Sequence, residues 1–324
     1  MKLATPVNQP AAIASPYSAQ AASWRGGLTA AYASEVGSGH TQNEDCCSHV
    51  PAADHPRFCG VADGVGGGAH GEIASSTLLA HCAEAPPEVV RDSVKLVDWL
   101  IKADAKVREA IARRSDRLGA ATLAAVWFAS PATAMVANVG DCRVYRLRPQ
   151  RDGYSLEQLT VDQTYARLEQ EPPRNGSAND PARMVGAGAM GRPPVIKIRL
   201  RECDLLLLCS DGVHKFVGAD EIAGIVKRGI GEGRTLRRIC AALVGAAQNN
   251  GSLDDASALL VWRRPRFGLR WLAPAILVAL LVLWLSLIQS VTADEVGAWL
   301  DPHALWLHLT NLLDFLRAGS ADGA

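Results

Sequence analysis

The sequence predicts an α+β fold with antiparallel sheet, plus one membrane-crossing helix, on three observations. Short β-type runs alternate with amphipathic helical stretches, the central β runs are joined by turns too short for a crossover helix, and a long charge-free apolar segment follows the last strand. Residues 1–25, rich in Ala, Ser, Pro and Gln without apolar periodicity, read as a flexible tail. Lys2 is their only basic residue before Arg25, and no continuous apolar core makes them a signal or transit peptide.

A folded domain is expected over residues 26–264. Its strands are predicted at Phe58–Ala62, Thr122–Phe128, Ala134–Val139, Arg143–Leu147, Tyr154–Leu159, Val195–Leu200, Asp204–Cys209 and Ala256–Trp262. The linkers Ser130–Thr133, Val139–Cys142 and Pro149–Gly153 are hairpin-length, so the central runs read as an antiparallel meander and not as a doubly wound parallel sheet. Three-to-four spacing of apolar residues predicts helices at Glu72–Glu84, Val89–Arg113, Ala219–Lys227 and Thr235–Gln248. Residues 164–190, with Pro172, Pro173, Asn175, Gly176 and Pro181, read as a long surface loop.

Trp271–Ile288 carries no charge and, extended to residues 269–291, reaches the roughly 20 residues that cross a bilayer. Arg263, Arg264, Arg266 and Arg270 precede it, whereas five carboxylates and one arginine follow it, which places the large domain in the cytoplasm of a single-pass membrane protein, expected in a bacterial inner membrane. In the remaining tail, 292–324, the stretch Trp299–Leu316 mixes apolar residues with Asp301, His303, His308 and Asp314 and reads as an interfacial amphipathic helix.

Composition excludes some functions. Lys+Arg and Asp+Glu are 33 each, so no basic excess points to nucleic acid. Eight cysteines without C-x-x-C spacing argue against a zinc knuckle, and they read as reduced packing residues.

Chemistry is carried by carboxylates placed where apolar runs begin or end: Glu44-Asp45, Asp63-Gly64, Asp141, Asp211-Gly212 and Asp254-Asp255. Brought to one sheet edge, such anions repel unless cations neutralise them, and all-oxygen ligands suit magnesium or manganese. The surrounding patterns, Asn43-Glu44-Asp45, Asp63-Gly-Val-Gly-Gly-Gly with Gly71-Glu72, Gly119-Ala-Ala-Thr122, Val139-Gly-Asp-Cys-Arg143, Leu159–Thr164, Leu207–Val213 and Gly251–Ser257, resemble the metal-dependent type 2C (PPM) serine/threonine phosphatases over residues 28–262.

That resemblance implies an α-β-β-α sandwich of two packed antiparallel sheets flanked by helices, with a binuclear manganese or magnesium centre at one end. It implies that Asp63, Asp211 and Asp254 hold one ion, that Glu44, Asp63 and the Gly64 carbonyl hold the other, and that Asp141 with Asp211 serves a weaker third. Asp45 would orient the water, and the centre would supply hydroxide to attack phosphoserine or phosphothreonine in line. Phosphoproteins are the implied substrates, and a cognate serine/threonine kinase the implied opponent.

The sequence departs from the family at His40, where an arginine commonly grips the phosphate. Either His40 performs this role, another cation such as Arg25 substitutes, or affinity is low. No Gly-Lys-Ser/Thr follows the glycine run at 64–71, which excludes a nucleotide P-loop. The alternative reading is a membrane-anchored pseudophosphatase that binds phosphoproteins without efficient turnover.

Overall fold

The computed structural model describes residues 21–23, 27–51, 56–65, 69–114, 116, 118–265, 272–289, 306–307 and 310. The chain divides into two units at Pro265. The first begins with strands β1 (Ala21–Ser23), β2 (Leu28–Glu35), β3 (Cys46–Pro51), β4 (Pro56–Ala62) and β5 (Gly64–Val65). Helices α1 (Ala69–Ala83), α2 (Pro87–Val90) and α3 (Ser93–Ala112) follow. Then come β6 (Ala120–Ala121), β7 (Leu123–Ser130), β8 (Thr133–Val139), β9 (Arg143–Gln150), β10 (Gly153–Gln158), β11 (Val195–Arg199) and β12 (Leu205–Cys209). Helices α4 (Asp211–His214), α5 (Ala219–Gly231) and α6 (Leu236–Asn249) precede the last strand, β13 (Ala256–Arg263).

Two antiparallel sheets result, ordered β1-β2-β13-β12-β9-β10 and β11-β8-β7-β4-β3, with β5 and β6 as a separate short pair. Side-chain alternation explains the layers. Along β7, Ala124, Val126 and Phe128 join Leu206, Leu208, Leu259 and Val261 of the other sheet in a central core. Its opposite face, Leu123, Ala125 and Trp127, packs on Leu78, Leu96 and Leu100 of α1 and α3. On β12, Leu205, Leu207 and Cys209 pack instead on Ile222, Leu243 and Val244 of α5 and α6. Strands buried on both faces read as continuous apolar runs, which is why Leu205–Cys209 shows no polar alternation. The expected α-β-β-α sandwich is what forms.

Three expectations are corrected. The Val139–Cys142 link is not a hairpin: β8 lies in one sheet and β9 in the other, so these residues carry the chain across the sandwich. Gly140 makes the sharp step with φ +84°, and a Cβ there would run into Thr122. The predicted helix Val89–Arg113 is two helices, because the Asp92 carboxylate accepts hydrogen bonds from Val94 N and Lys95 N and caps a fresh start at α3. The segment read as a flexible tail is ordered at its end, where Ala21–Ser23 pairs with Thr29–Ala31.

The second unit contains α7 (Leu272–Gln289), whose described side chains from Ile276 to Leu285 are apolar and exposed. Among the described residues no helix is long and apolar enough to cross a membrane. At 1.5 Å per residue α7 spans about 27 Å, just under the ~30 Å hydrocarbon layer, and the expected extensions at 269–271 and 290–291 lie outside the described residues. Of the expected helix Trp299–Leu316 only Trp306, Leu307 and Thr310 are described, and all three are helical.

Candidate active site

Strand register brings the acidic residues to one end of the sandwich. Glu44 and Asp45 immediately precede β3, whose first residue, Cys46, pairs with Ala62 at the end of β4, and Asp63 follows directly. Asp141 sits in the crossover from β8 to β9. Asp211 follows β12, where Cys209 pairs with Arg143, and Asp254 precedes β13. Gly64 and Gly71 let the first turn of α1 press against the end of β4: a Cβ on Gly64 would run into the Gly71 main chain, and one on Gly71 into the Glu44 carboxylate.

The cluster is strongly anionic: Glu44, Asp45, Asp141 and Asp211 are buried, and Asp63 and Asp254 are partly exposed. Burial pushes the Asp63 carboxyl well above the usual carboxylate range, and the charges of Asp211, Asp45, Asp141 and Asp254 push it the same way. Burial also raises Asp45, against opposing hydrogen bonds from Ser210 and Ser257. Asp141 is raised to about 6 by burial and the Asp211 charge, and Asp254 is raised by the same two causes. Asp211 alone is held low: burial opposes its charge, but the Lys215 ammonium outweighs it.

Several partners fix these carboxylates. Ser210 Oγ donates to Asp45 Oδ2 at 2.7 Å, and Asn43 Oδ1 accepts from Asp45 N at 2.9 Å. Ser75 Oγ of α1 donates to the Glu44 carbonyl at 2.7 Å. Asp255, 3% exposed, accepts from Gly37 N at 2.8 Å and from Glu44 N at 2.6 Å, and so pins the loop that carries Glu44. Lys215 Nζ lies 2.5 Å from Asp211 Oδ2 and 3.4 Å from Asp141 Oδ2.

His40 is drawn into the same cluster. Its Nδ1 lies 3.2 Å from Asp255 Oδ2 and 3.7 Å from Asp254 Oδ1. Burial works against the imidazolium, but the Asp255 hydrogen bond and the Asp255, Asp254 and Glu44 charges outweigh it and raise the histidine above its ordinary value. The carboxylates therefore favour the imidazolium form of His40, and both contacts are made by Nδ1, not Nε2. The other residue considered for the phosphate, Arg25, lies outside the described residues.

The donor set suits hard divalent cations. All its side-chain donors are oxygens, Asp45 Oδ1 and Asp211 Oδ1 are buried without a hydrogen-bond partner, and most of the carboxylates resist ionising beside one another. Among the described residues no three His, Cys, Asp or Glu side chains are already drawn together as a closed metal cage.

Sequence reasoning missed Lys215, the anchoring role of Asp255 and the Ser210 contact. Only Lys215 had a readable signal: it follows Asp211 by four residues, one helical turn. The cysteines take no part. Their thiols are free, and burial pushes Cys46 and Cys240 up to about 12, far from the thiolate a nucleophile requires.

Comparison with known proteins bears on the family and the fold. The family profile for protein phosphatase 2C matches residues 29–174. The chain is 27% identical over 237 residues to the serine/threonine phosphatase stp of Listeria monocytogenes, covering 68% of this chain and 90% of that one. Among solved structures, PppA, described as a key regulatory component of T6SS in Pseudomonas aeruginosa, superposes with a TM-score of 0.60 at 27% identity, covering 75% of this chain and 99% of PppA. The catalytic domain of the phosphatase PstP in complex with two manganese ions gives 0.57 at 24% identity, covering 72% and 97%, a likeness of fold.

Proposed function

We propose that the chain is a serine/threonine phosphatase of the protein phosphatase 2C family, dephosphorylating proteins with two manganese or magnesium ions held at the acidic end of its sandwich, a reading supported by the profile match and the similarity to the Listeria phosphatase. Asp63, Asp211 and Asp254 would hold one ion, and Glu44, Asp63 and the Gly64 carbonyl would hold the other. The observation that carries this reading is the convergence of buried carboxylates that repel one another. When bound, such ions make water a nucleophile near neutral pH and offset charge on the phosphoryl oxygens. The chain's own groups do the positioning. Asp45, fixed by Ser210 and with Oδ1 unpartnered, orients the attacking water and takes its proton. No side chain is needed as a nucleophile. A phosphothreonine peptide hydrolysed in ¹⁸O-labelled water should release phosphate carrying the label, with no phosphorylated protein trapped; a trapped phosphoprotein would refute this mechanism.

His40, half-exposed at the rim of the cluster and beside carboxylates that favour its charged form, contributes a single-point contact to the substrate phosphate. Arginine binds phosphate in bidentate fashion, so His40→Arg should lower KM for the phosphopeptide about threefold or more while kcat changes less. An unchanged KM would remove His40 from the phosphate site.

Residues 269–291 cross a membrane, with α7 as their helical centre and the phosphatase domain on the cytoplasmic side. An uncharged helix with exposed apolar side chains and an arginine-rich approach supports this reading. A serine/threonine kinase must supply the phosphoprotein, and anchoring confines turnover to substrates at that surface. In cells, the full chain should sediment with membranes and resist carbonate extraction, while a chain ending at Pro265 should remain soluble. Release of the full chain by carbonate would contradict the membrane assignment.

A further inference from the structure

The Lys215 contact with Asp141 and Asp211 is not explained by a two-ion centre. Lys215 stands at the C-terminal end of α4, and its side chain, 39% exposed, folds back over the cluster. Its ammonium touches Asp211 Oδ2 at 2.5 Å and approaches Asp141 Oδ2 to 3.4 Å; these carboxylate side chains are 13% and 2% exposed. Asp141 and Asp211 are the two residues to which the family resemblance assigns a weaker third ion. A divalent cation bound by both would share those oxygens with the ammonium, and two cations at ion-contact distance repel strongly where water is scarce. A third ion therefore does not fit beside Lys215.

We propose that Lys215 is a built-in cation that replaces the third metal ion, so that this phosphatase binds two divalent ions and keeps the Asp141–Asp211 pair neutralised by its own side chain. The inference rests on the two-ion reading given above. It assigns Lys215 a positioning role: the ammonium, 2.5 Å from Asp211 Oδ2, holds in place a carboxylate that would be a ligand of one ion. The His214 ring, whose Nε2 lies 2.9 Å from the Asp141 carbonyl, ties α4 to the turn that carries Asp141. The arrangement has a functional consequence. A third ion that exchanges with solvent makes activity follow the free metal concentration, whereas a covalently attached ammonium is present at every concentration.

The test is manganese stoichiometry on the full-length chain in detergent micelles, by equilibrium dialysis and elemental analysis. The wild-type chain and Asp141→Asn should each saturate at two ions. Lys215→Gln, which removes the charge at similar length, should admit a third, lower-affinity ion that Lys215→Gln/Asp141→Asn loses; Lys215→Arg should return to two. In chelator, Lys215→Gln should melt below wild type and Lys215→Arg should recover the difference, a readout independent of catalysis. A wild-type chain that takes three ions and drops to two in Asp141→Asn overturns the proposal, and so does a folded Lys215→Gln that stays at two. A wild-type chain that takes fewer than two overturns the two-ion reading itself and this inference with it.

Discussion

Asparagine in place of Asp63 is expected to lower phosphatase activity about a thousandfold or more, a loss of roughly 4 kcal/mol of transition-state stabilisation. Asp63 follows β4 at the centre of the acidic cluster, and the charges of four other carboxylates act on it. In the proposed two-ion centre it would be the one carboxylate shared by both ions, so an amide there would weaken two sites with one substitution. The same change should act oppositely on the metal-free fold. Burial and neighbouring anions disfavour ionised Asp63, so removing its charge relieves repulsion in chelator. Each kcal/mol so gained corresponds to a melting point about 2–4 °C higher for a domain of this size. Activity measured with saturating manganese and melting measured in chelator should therefore move in opposite directions. A variant that retains wild-type turnover would show that Asp63 is not the shared ligand.

Asp255→Ala is expected to lose both stability and metal affinity. Its carboxylate accepts two buried N–H groups, those of Gly37 and Glu44, and faces His40. Alanine leaves both donors unpaired at about 1–3 kcal/mol each, and it strips His40 of its closest counter-ion. Glu44 would then lose the anchor of its own main chain. Partners that orient a metal ligand are worth about 10–100-fold in affinity, so manganese binding should weaken by that order. Asparagine retains one acceptor and should fall between. Denaturant unfolding and a manganese titration on the same samples check both effects, and unaltered manganese affinity would show that Asp255 serves the fold alone.

What could be read in advance follows from which interactions are local. Acidic residues at the ends of apolar runs are legible, because strand ends are set by the runs themselves; Asp63, Asp211 and Asp254 all fall within two residues of a strand end. The sandwich layers are foreshadowed by uninterrupted apolar runs such as Leu205–Cys209, which signal burial on both faces. The edge of the site was harder. Strand β2, Leu-Thr-Ala-Ala-Tyr-Ala-Ser-Glu, is rich in alanine, a weak strand former, and is held by pairing with β13 along its whole length. The Val139–Cys142 link is short whether it closes a hairpin or crosses between sheets, and only packing decides. Asp92 is a recognisable cap that apolar periodicity alone reads through. The pairing of His40 with Asp254 and Asp255 is not legible because these carboxylates lie more than two hundred residues away in sequence.

The most direct measurement is phosphate release from a phosphothreonine peptide by the full-length chain, first stripped with chelator and then titrated with manganese or magnesium. A buried cluster of mutually repelling carboxylates predicts no release from the stripped chain and a saturable return of activity as the ion is added. Release that persists undiminished in chelator would contradict the metal-dependent centre.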